Sequence, residues 1–186
     1  MTSPWRSLLP VTIATALVLA ALLALGTWQV KRLAWKEGLI AAATERVARP
    51  PAELPAPAGW SALDSAGYEF TRVRLTGHFA GPREFHVYTT LTRPKGPVGG
   101  QGYWVMAPFE QADGTIVFVN RGFVPLEKKD PATRPEGIPA GKATIEGLMR
   151  GPEPRDRFTA EDDAARNIWL RRDPARFAAA LGLDAA

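Results

Sequence analysis

The chain has 186 residues, 46% hydrophobic and 23% charged, with no cysteine and two histidines. This excludes a disulfide framework, a thiolate nucleophile, a zinc–thiolate cluster and a cysteine-ligated iron–sulfur centre, and leaves too little histidine for a His-rich metal site. Glycine and proline, 17 each, show no collagen-like period and predict many turns in one domain of ordinary size. The net charge is +4, of which residues 1–46 carry +3 and the remaining 140 residues +1. A phosphate-gripping protein needs surplus cations on one face, so nucleic acid is not the expected partner. The surplus flanks a hydrophobic segment, where basic side chains commonly meet lipid headgroups.

From Ser7 to Val30 no side chain is charged. A helix over Leu8–Trp28 is about 31 Å long at ~1.5 Å per residue, enough to cross a hydrocarbon core. Pro10 falls in its first turn, and Trp5 and Trp28 bracket it as interfacial aromatics do. A cleaved signal peptide is the rival reading, because Ala24-Leu25-Gly26 resembles a small-x-small cleavage site. Two features favour a retained anchor: the apolar run exceeds a signal core, and helical patterning continues through Val30, Leu33, Leu39 and Ile40. The sequence divides into an N-terminal tail (1–6), a membrane helix (7–30), its extension (31–46), a Pro-rich spacer (47–60) and a β-rich domain (61–186). The three cations Lys31, Arg32 and Lys36 after the span would by themselves place that side in the cytoplasm, but long domains cross regardless of charge. The side stays open at this point.

Pro50, Pro51, Pro55 and Pro57 predict an extended spacer of about 30 Å over 49–59. Beyond it the period becomes two. Val73 and Leu75 alternate with Arg72 and Arg74; Phe85–Thr89, Tyr103–Phe109 and Thr115–Val124 read as further strands, with Asp113-Gly114 as a hairpin turn. Ala143–Glu146 begins another strand, broken by Gly147. Asp173 caps a short helix with Pro174 at its first position, Phe177 and Leu181 on one face, and Gly182 as its stop. The fold class is α+β and membrane-anchored: one N-terminal transmembrane helix, then a mostly antiparallel β domain with a short C-terminal helix.

Chemistry is sparse in this pattern. His78 shares strand parity with Arg72, Arg74 and Thr76, and His86 with Glu84 and Tyr88, so both read as members of solvated polar faces. They are the only histidines available as cofactor ligands. The 96–102 glycine loop lacks the Lys-Ser/Thr of a phosphate-binding loop and reads as a flexible hairpin connection. No serine sits in a Gly-x-Ser-x-Gly elbow, and Glu161-Asp162-Asp163 reads as a solvated turn in preference to a calcium site. No catalytic residue and no metal site emerge. The domain reads as a binding or scaffolding module, not an enzyme.

Gly26-Thr27-Trp28-Gln29 with Arg32, Lys36 and Leu39-Ile40 resembles the exit of the first membrane helix in the surfeit-locus-one cytochrome oxidase assembly proteins. Val119-Asn120-Arg121-Gly122-Phe123-Val124-Pro125 resembles that family's most recognisable element, with Phe123 where Trp is usual. Tyr68–Phe79 and Ala165-Arg166-Asn167-Ile168-Trp169 before Arg172-Asp173 fit as well, so the similarity runs from about residue 20 to about 183. In physical terms Gly122 marks a backbone position needing positive φ, and Pro125 ends a strand. For Asn120 and Arg121, shaping a turn at a hairpin end is the preferred reading over direct partner contact. The resemblance implies a non-enzymatic assembly factor for haem–copper terminal oxidase. It would act during haem a delivery or subunit maturation, beside the oxidase catalytic subunit and the haem a supply enzymes. It also implies an inner-membrane location, an N-terminus in the cytoplasm and a periplasmic β domain. The alternative is a membrane-anchored periplasmic adaptor with no haem role. Relatives continue into a second span opened by Asn-Asn-His, where a haem ligand would be sought; this sequence stops at Ala186. Haem a is therefore expected in a longer form, and this chain is expected to bind it weakly or not at all.

Overall fold

The computed structural model describes residues 4–63, 65–135 and 141–183; the first three residues of the tail and Ala186 lie outside them. Two compact units emerge, residues 1–48 and 49–186. The first is one unbroken helix, α1 (Pro4–Ala48), so the apolar span and its extension share a single set of backbone hydrogen bonds. Thr12, Thr15 and Thr27 turn their hydroxyls back onto carbonyls one turn earlier, at 3.1, 2.9 and 2.8 Å. That hides the polar group of each from an apolar surround.

The second unit opens with β1 (Ala52–Glu53), a 3₁₀ turn over Pro57–Ala62 and a short helix, α2 (Ser65–Tyr68). The Pro-rich segment is thus not the extended spacer that its composition predicts. Ala52 and Glu53 pair in parallel with Val73 and Arg74, and the Trp60 indole donates to the Pro55 carbonyl at 2.7 Å. Proline excludes helix here but leaves enough donors for a two-residue ladder and an indole-closed turn.

Five further strands follow: β2 (Arg72–Phe79), β3 (Phe85–Leu91), β4 (Gly100–Gln111), β5 (Ile116–Pro125) and β6 (Ala143–Leu148). All pairings among these five are antiparallel, and β1–β2 is the parallel exception. Strand β4 is the hub. It carries β5 on one edge, and β3 followed by the end of β2 on the other. The β4–β5 turn is the Asp113-Gly114 hairpin read from the sequence, with Gly114 at φ 83° and the Asp113 carboxylate accepting from Thr115 N at 2.9 Å. Two expectations are corrected. Gly147 does not break its strand; it pairs with Val73 because β6 lies along β2 up to Leu148. Gly100–Gly102 belong to β4, and a Cβ on Gly102 would lie 2.2 Å from the Val124 carbonyl oxygen.

Residues Val73 and Leu75 are buried, while Arg72 and Arg74 turn outward to share the Glu146 carboxylate at 2.7 and 2.9 Å. The main core gathers Phe85, Val87, Met106, Trp169 and Phe177, with Trp104, Phe118 and Leu181 against it. Phe177 comes from α3 (Pro174–Leu181), capped by Asp173 and ended by Gly182 at φ 71° as its sequence requires. Its ring stacks on Phe85 at 4.6 Å and meets Trp169 and Phe118 edge-on at 5.2 and 5.3 Å. The segment before α3 is held by Trp169, whose N–H donates to the His86 carbonyl at 2.9 Å while its own carbonyl accepts from Tyr88 N at 2.7 Å.

Two substitutions test this packing. Phe177→Ala removes a fully buried ring and should cost about 3–5 kcal/mol in urea unfolding followed by Trp fluorescence. Gly77→Ala should prevent β2–β4 closure, since its Cβ would fall 2.0 Å from the Glu110 carbonyl oxygen. Loss of the cooperative transition in the Gly77 variant is the expected result.

Candidate functional site

Two buried polar residues, Glu84 and His86, lie at the start of β3. Strand alternation puts Phe85 and Val87 on one side and Glu84 and His86 on the other, yet all four are buried. The His86 reading as a solvated face is therefore wrong: the ring is 3% exposed. Both faces of the strand are covered, one by the aromatic core and the other by the 129–134 and 167–169 segments. Alternation reports two faces but cannot say whether the second is wet.

The hydrogen bonds there form a chain with a definite direction. Indole Nε1 of Trp169, which can only donate, gives its proton to Asn167 Oδ1 at 2.8 Å. That orients the Asn167 amide, whose Nδ2 lies 2.8 Å from the Glu84 carbonyl oxygen and 3.0 Å from His86 Nδ1. Nδ1 therefore accepts, and Nε2 carries the proton it donates to Glu84 Oε1 at 2.8 Å. Arg134 Nη2 bonds the same carboxylate oxygen, and Arg134 Nε donates to the Lys128 carbonyl at 2.8 Å. Asn167 sits at φ 51°, a conformation asparagine adopts more readily than most residues. Burial pushes the Glu84 carboxyl up, but the His86 and Arg134 hydrogen bonds and the Arg134 charge outweigh it and hold the group below its usual range.

The Asn120-Arg121-Gly122 run adds a second cation. Register on β5 passes from Phe123 opposite Trp104 to Asn120 opposite Met106, so Arg121 and Gly122 together face Val105. This is a β-bulge, which bends the strand and re-aims a side chain. Gly122 supplies φ 113°, and Asn120 Oδ1 accepts from Gly122 N at 2.9 Å. Asn120 and Gly122 shape the backbone at a bulge within β5, whereas the sequence reading for Asn120 and Arg121 is a turn at a hairpin end. Pro125 closes the strand as expected. Arg121 lies with its Cζ 5.1 Å from the Phe79 ring centre. Burial pulls its guanidinium below the ordinary value; the Glu84 charge opposes this and Arg134 adds to it. Arg121 Nη1 and Glu84 Oε2 are buried without a hydrogen-bond partner.

The structure thus brings His86 and Arg121 into one electrostatic neighbourhood and leaves His78 out of it. His78 stands on the exposed face of β2, with Nε2 3.7 Å from Glu110 Oε2, as its parity predicts. Gly26, Trp28, Gln29 and Arg32 sit on α1, in the other unit. Glu84 and Arg134 were missed from sequence; the only hint was a Glu-x-His spacing whose members share a strand face. The acidic run is not a free turn either. Asp162 accepts from Leu170 N at 2.8 Å and pairs with Arg176 at 2.6 Å, and Asp163 pairs with Arg166 at 2.6 Å. Among the described residues no group of three metal-ligating side chains converges. Both nitrogens of His86 are engaged within the protein, so ligating a metal would require breaking the Asn167 or Glu84 bond.

A long apolar helix followed by a mixed, mostly antiparallel sheet with a buried polar clasp defines a helix-tethered β module. The chain belongs to the SURF1 family, whose sequence profile matches residues 16–186. It is 34% identical to Surfeit locus protein 1 of Rattus norvegicus over 170 residues, covering 86% of this chain and 54% of that protein. The same protein of Homo sapiens is 34% identical over 171 residues, with 86% and 56% covered. The SURF1-like protein of Drosophila melanogaster is 35% identical over 178 residues, with 89% and 57% covered. The chain spans about half the length of these relatives.

Removing the clasp's centre should be costly. Glu84→Ala leaves buried His86 and half-buried Arg134 without this acceptor and should lower stability by about 3–5 kcal/mol in urea titration. Because the Glu84 pKa is lowered on folding, its contribution is complete above about pH 4.3, the unfolded value, and is lost as pH falls through the folded value. Glu153, held down by Arg172 against the upward push of burial, acts in the same direction. Unfolding midpoints should drop steeply below pH 4, and less steeply in Glu84→Gln, whose own side chain no longer titrates.

Proposed function

We propose that the chain is a membrane-anchored assembly factor for a haem–copper terminal oxidase. Its sheet domain would bind the oxidase catalytic subunit, or the enzymes that supply haem a, while haem a is delivered or the subunit matures. The observation that carries this reading is the family match, which spans the α1 exit motif and the β5 bulge motif in a single chain. In support of a non-catalytic role, Glu84 and His86 are hydrogen-bonded to each other and buried. A catalytic acid or base must reach a substrate proton. In support of anchoring, Leu8–Ala48 contains a stretch long and apolar enough to cross a membrane. The orientation proposed is N-terminus in the cytoplasm and β domain in the periplasm, at the inner membrane.

One observation favours the adaptor reading without haem: His86 has no free nitrogen, and His78 is exposed beside a carboxylate. Neither is poised as an axial ligand.

Three measurements test these statements. The full chain should resist carbonate extraction, and a soluble form beginning at Thr27 would show instead that the apolar segment is a cleaved signal. Deleting its gene should diminish the haem a bands in reduced-minus-oxidised spectra of host membranes; undiminished bands would remove the oxidase reading. Haem titrated into the detergent-solubilised chain should give no saturable Soret shift. A tight shift abolished by His78→Ala or His86→Ala would place a ligand where none is proposed.

A further inference from the structure

Helix α1 does not become uniformly polar where its apolar run ends. At ~100° per residue, Lys31, Trp35, Trp28, Leu39, Arg32 and Lys36 fall in that angular order within a sector of about 140°. Glu37, the only acidic residue before Glu45, lies on the opposite side, about 180° from Trp28. The sector is open: Trp28 is 50% and Trp35 62% exposed, and Lys31, Arg32 and Lys36 are exposed too. Helical side chains lean toward the N-terminus, here toward the apolar span. Arg32 does so, with its Cζ 5.1 Å from the Trp28 ring centre. Lys31 and Arg32 stand only about 5–6 Å further along the axis than Trp28, and Lys36 about 12 Å. This is an exposed basic cluster beside two tryptophans, just beyond the end of the apolar run.

We infer that this face of α1 is a binding site for the phosphate of an anionic phospholipid, held by Lys31, Arg32 and Lys36 and seated on Trp28 and Trp35. The inference rests on the membrane reading of α1 and deepens it by naming the lipid class. Charge selects the occupant. Three cations with no acid on their face match an anionic headgroup, whereas an apolar partner helix would leave them desolvated. In the proposed orientation these cations oppose the usual positive-inside bias, so their placement answers to something other than topology.

The test uses the full chain reconstituted in vesicles, with Trp fluorescence quenched by brominated phosphatidylglycerol or brominated phosphatidylcholine. The Trp28→Phe/Trp35→Phe variant gives the background from the other tryptophans. The anionic lipid should be preferred at this face about tenfold, the preference shrinking in high salt. It should fall to near unity in the Lys31→Gln/Arg32→Gln/Lys36→Gln variant, with the protein still resistant to carbonate. Equal quenching by the two lipids, or a preference that survives the triple substitution, overturns the assignment. Loss of the preference on adding inorganic phosphate at constant ionic strength would make it a free-anion site and overturn the lipid assignment. Weak quenching by both lipids would mean that protein covers the face. Release of the wild-type chain by carbonate would instead defeat the membrane reading itself.

Discussion

Glu84 is the constraint on which the sheet domain turns. Its carboxylate is buried, and burying a lone charge is prohibitive. It is tolerated because His86 and Arg134 bring donors to one oxygen from β3 itself and from the loop beyond β5. Meeting that demand ties together stretches 50 residues apart. Asn167 and Trp169 then orient the His86 ring, so the C-terminal segment is drawn onto the free edge of β3. Once Trp169 is in place, Phe177 has a partner to pack against and α3 a surface to cover.

The bulge on β5 serves the same neighbourhood from the other side of β4. A regular strand cannot fit two residues opposite Val105, so Gly122 takes a positive φ and Asn120 caps its N–H. The consequence is a guanidinium near Glu84 that is partly withheld from water. The orphaned Glu84 Oε2 and Arg121 Nη1 each forgo a hydrogen bond, a cost of about 1–3 kcal/mol apiece. The aromatic core around Phe85 and Phe177 offsets such costs.

The two units differ in construction. Residues 4–48 form a helix, apolar along one stretch and basic-aromatic just after it. Residues 49–186 hold the buried core and the polar clasp. Trp28 and Gln29 lie on the first unit, and Asn120, Arg121 and Gly122 on the second. The first pair lies on an open helix face; in the second group Asn120 and Gly122 shape backbone.

Local physics was legible in the sequence. The apolar run of α1, the Asp113-Gly114 hairpin, the outward arginines of β2 and the Asp173-to-Gly182 limits of α3 all follow from period, turn chemistry and caps within a few residues of one another. The need for positive φ at Gly122 was equally local. What only the tertiary structure decided depends on segments remote in sequence. The Pro-rich stretch is folded because Val73 and Arg74 offer Ala52 and Glu53 an edge. Gly147 stays in its strand because Val73 lies opposite. His86 is buried, not solvated, because Arg134 and Asn167 arrive over a face that alternation alone marks as polar. Periodicity gives each strand two sides, and only the arrival of distant residues determines which of them is dry.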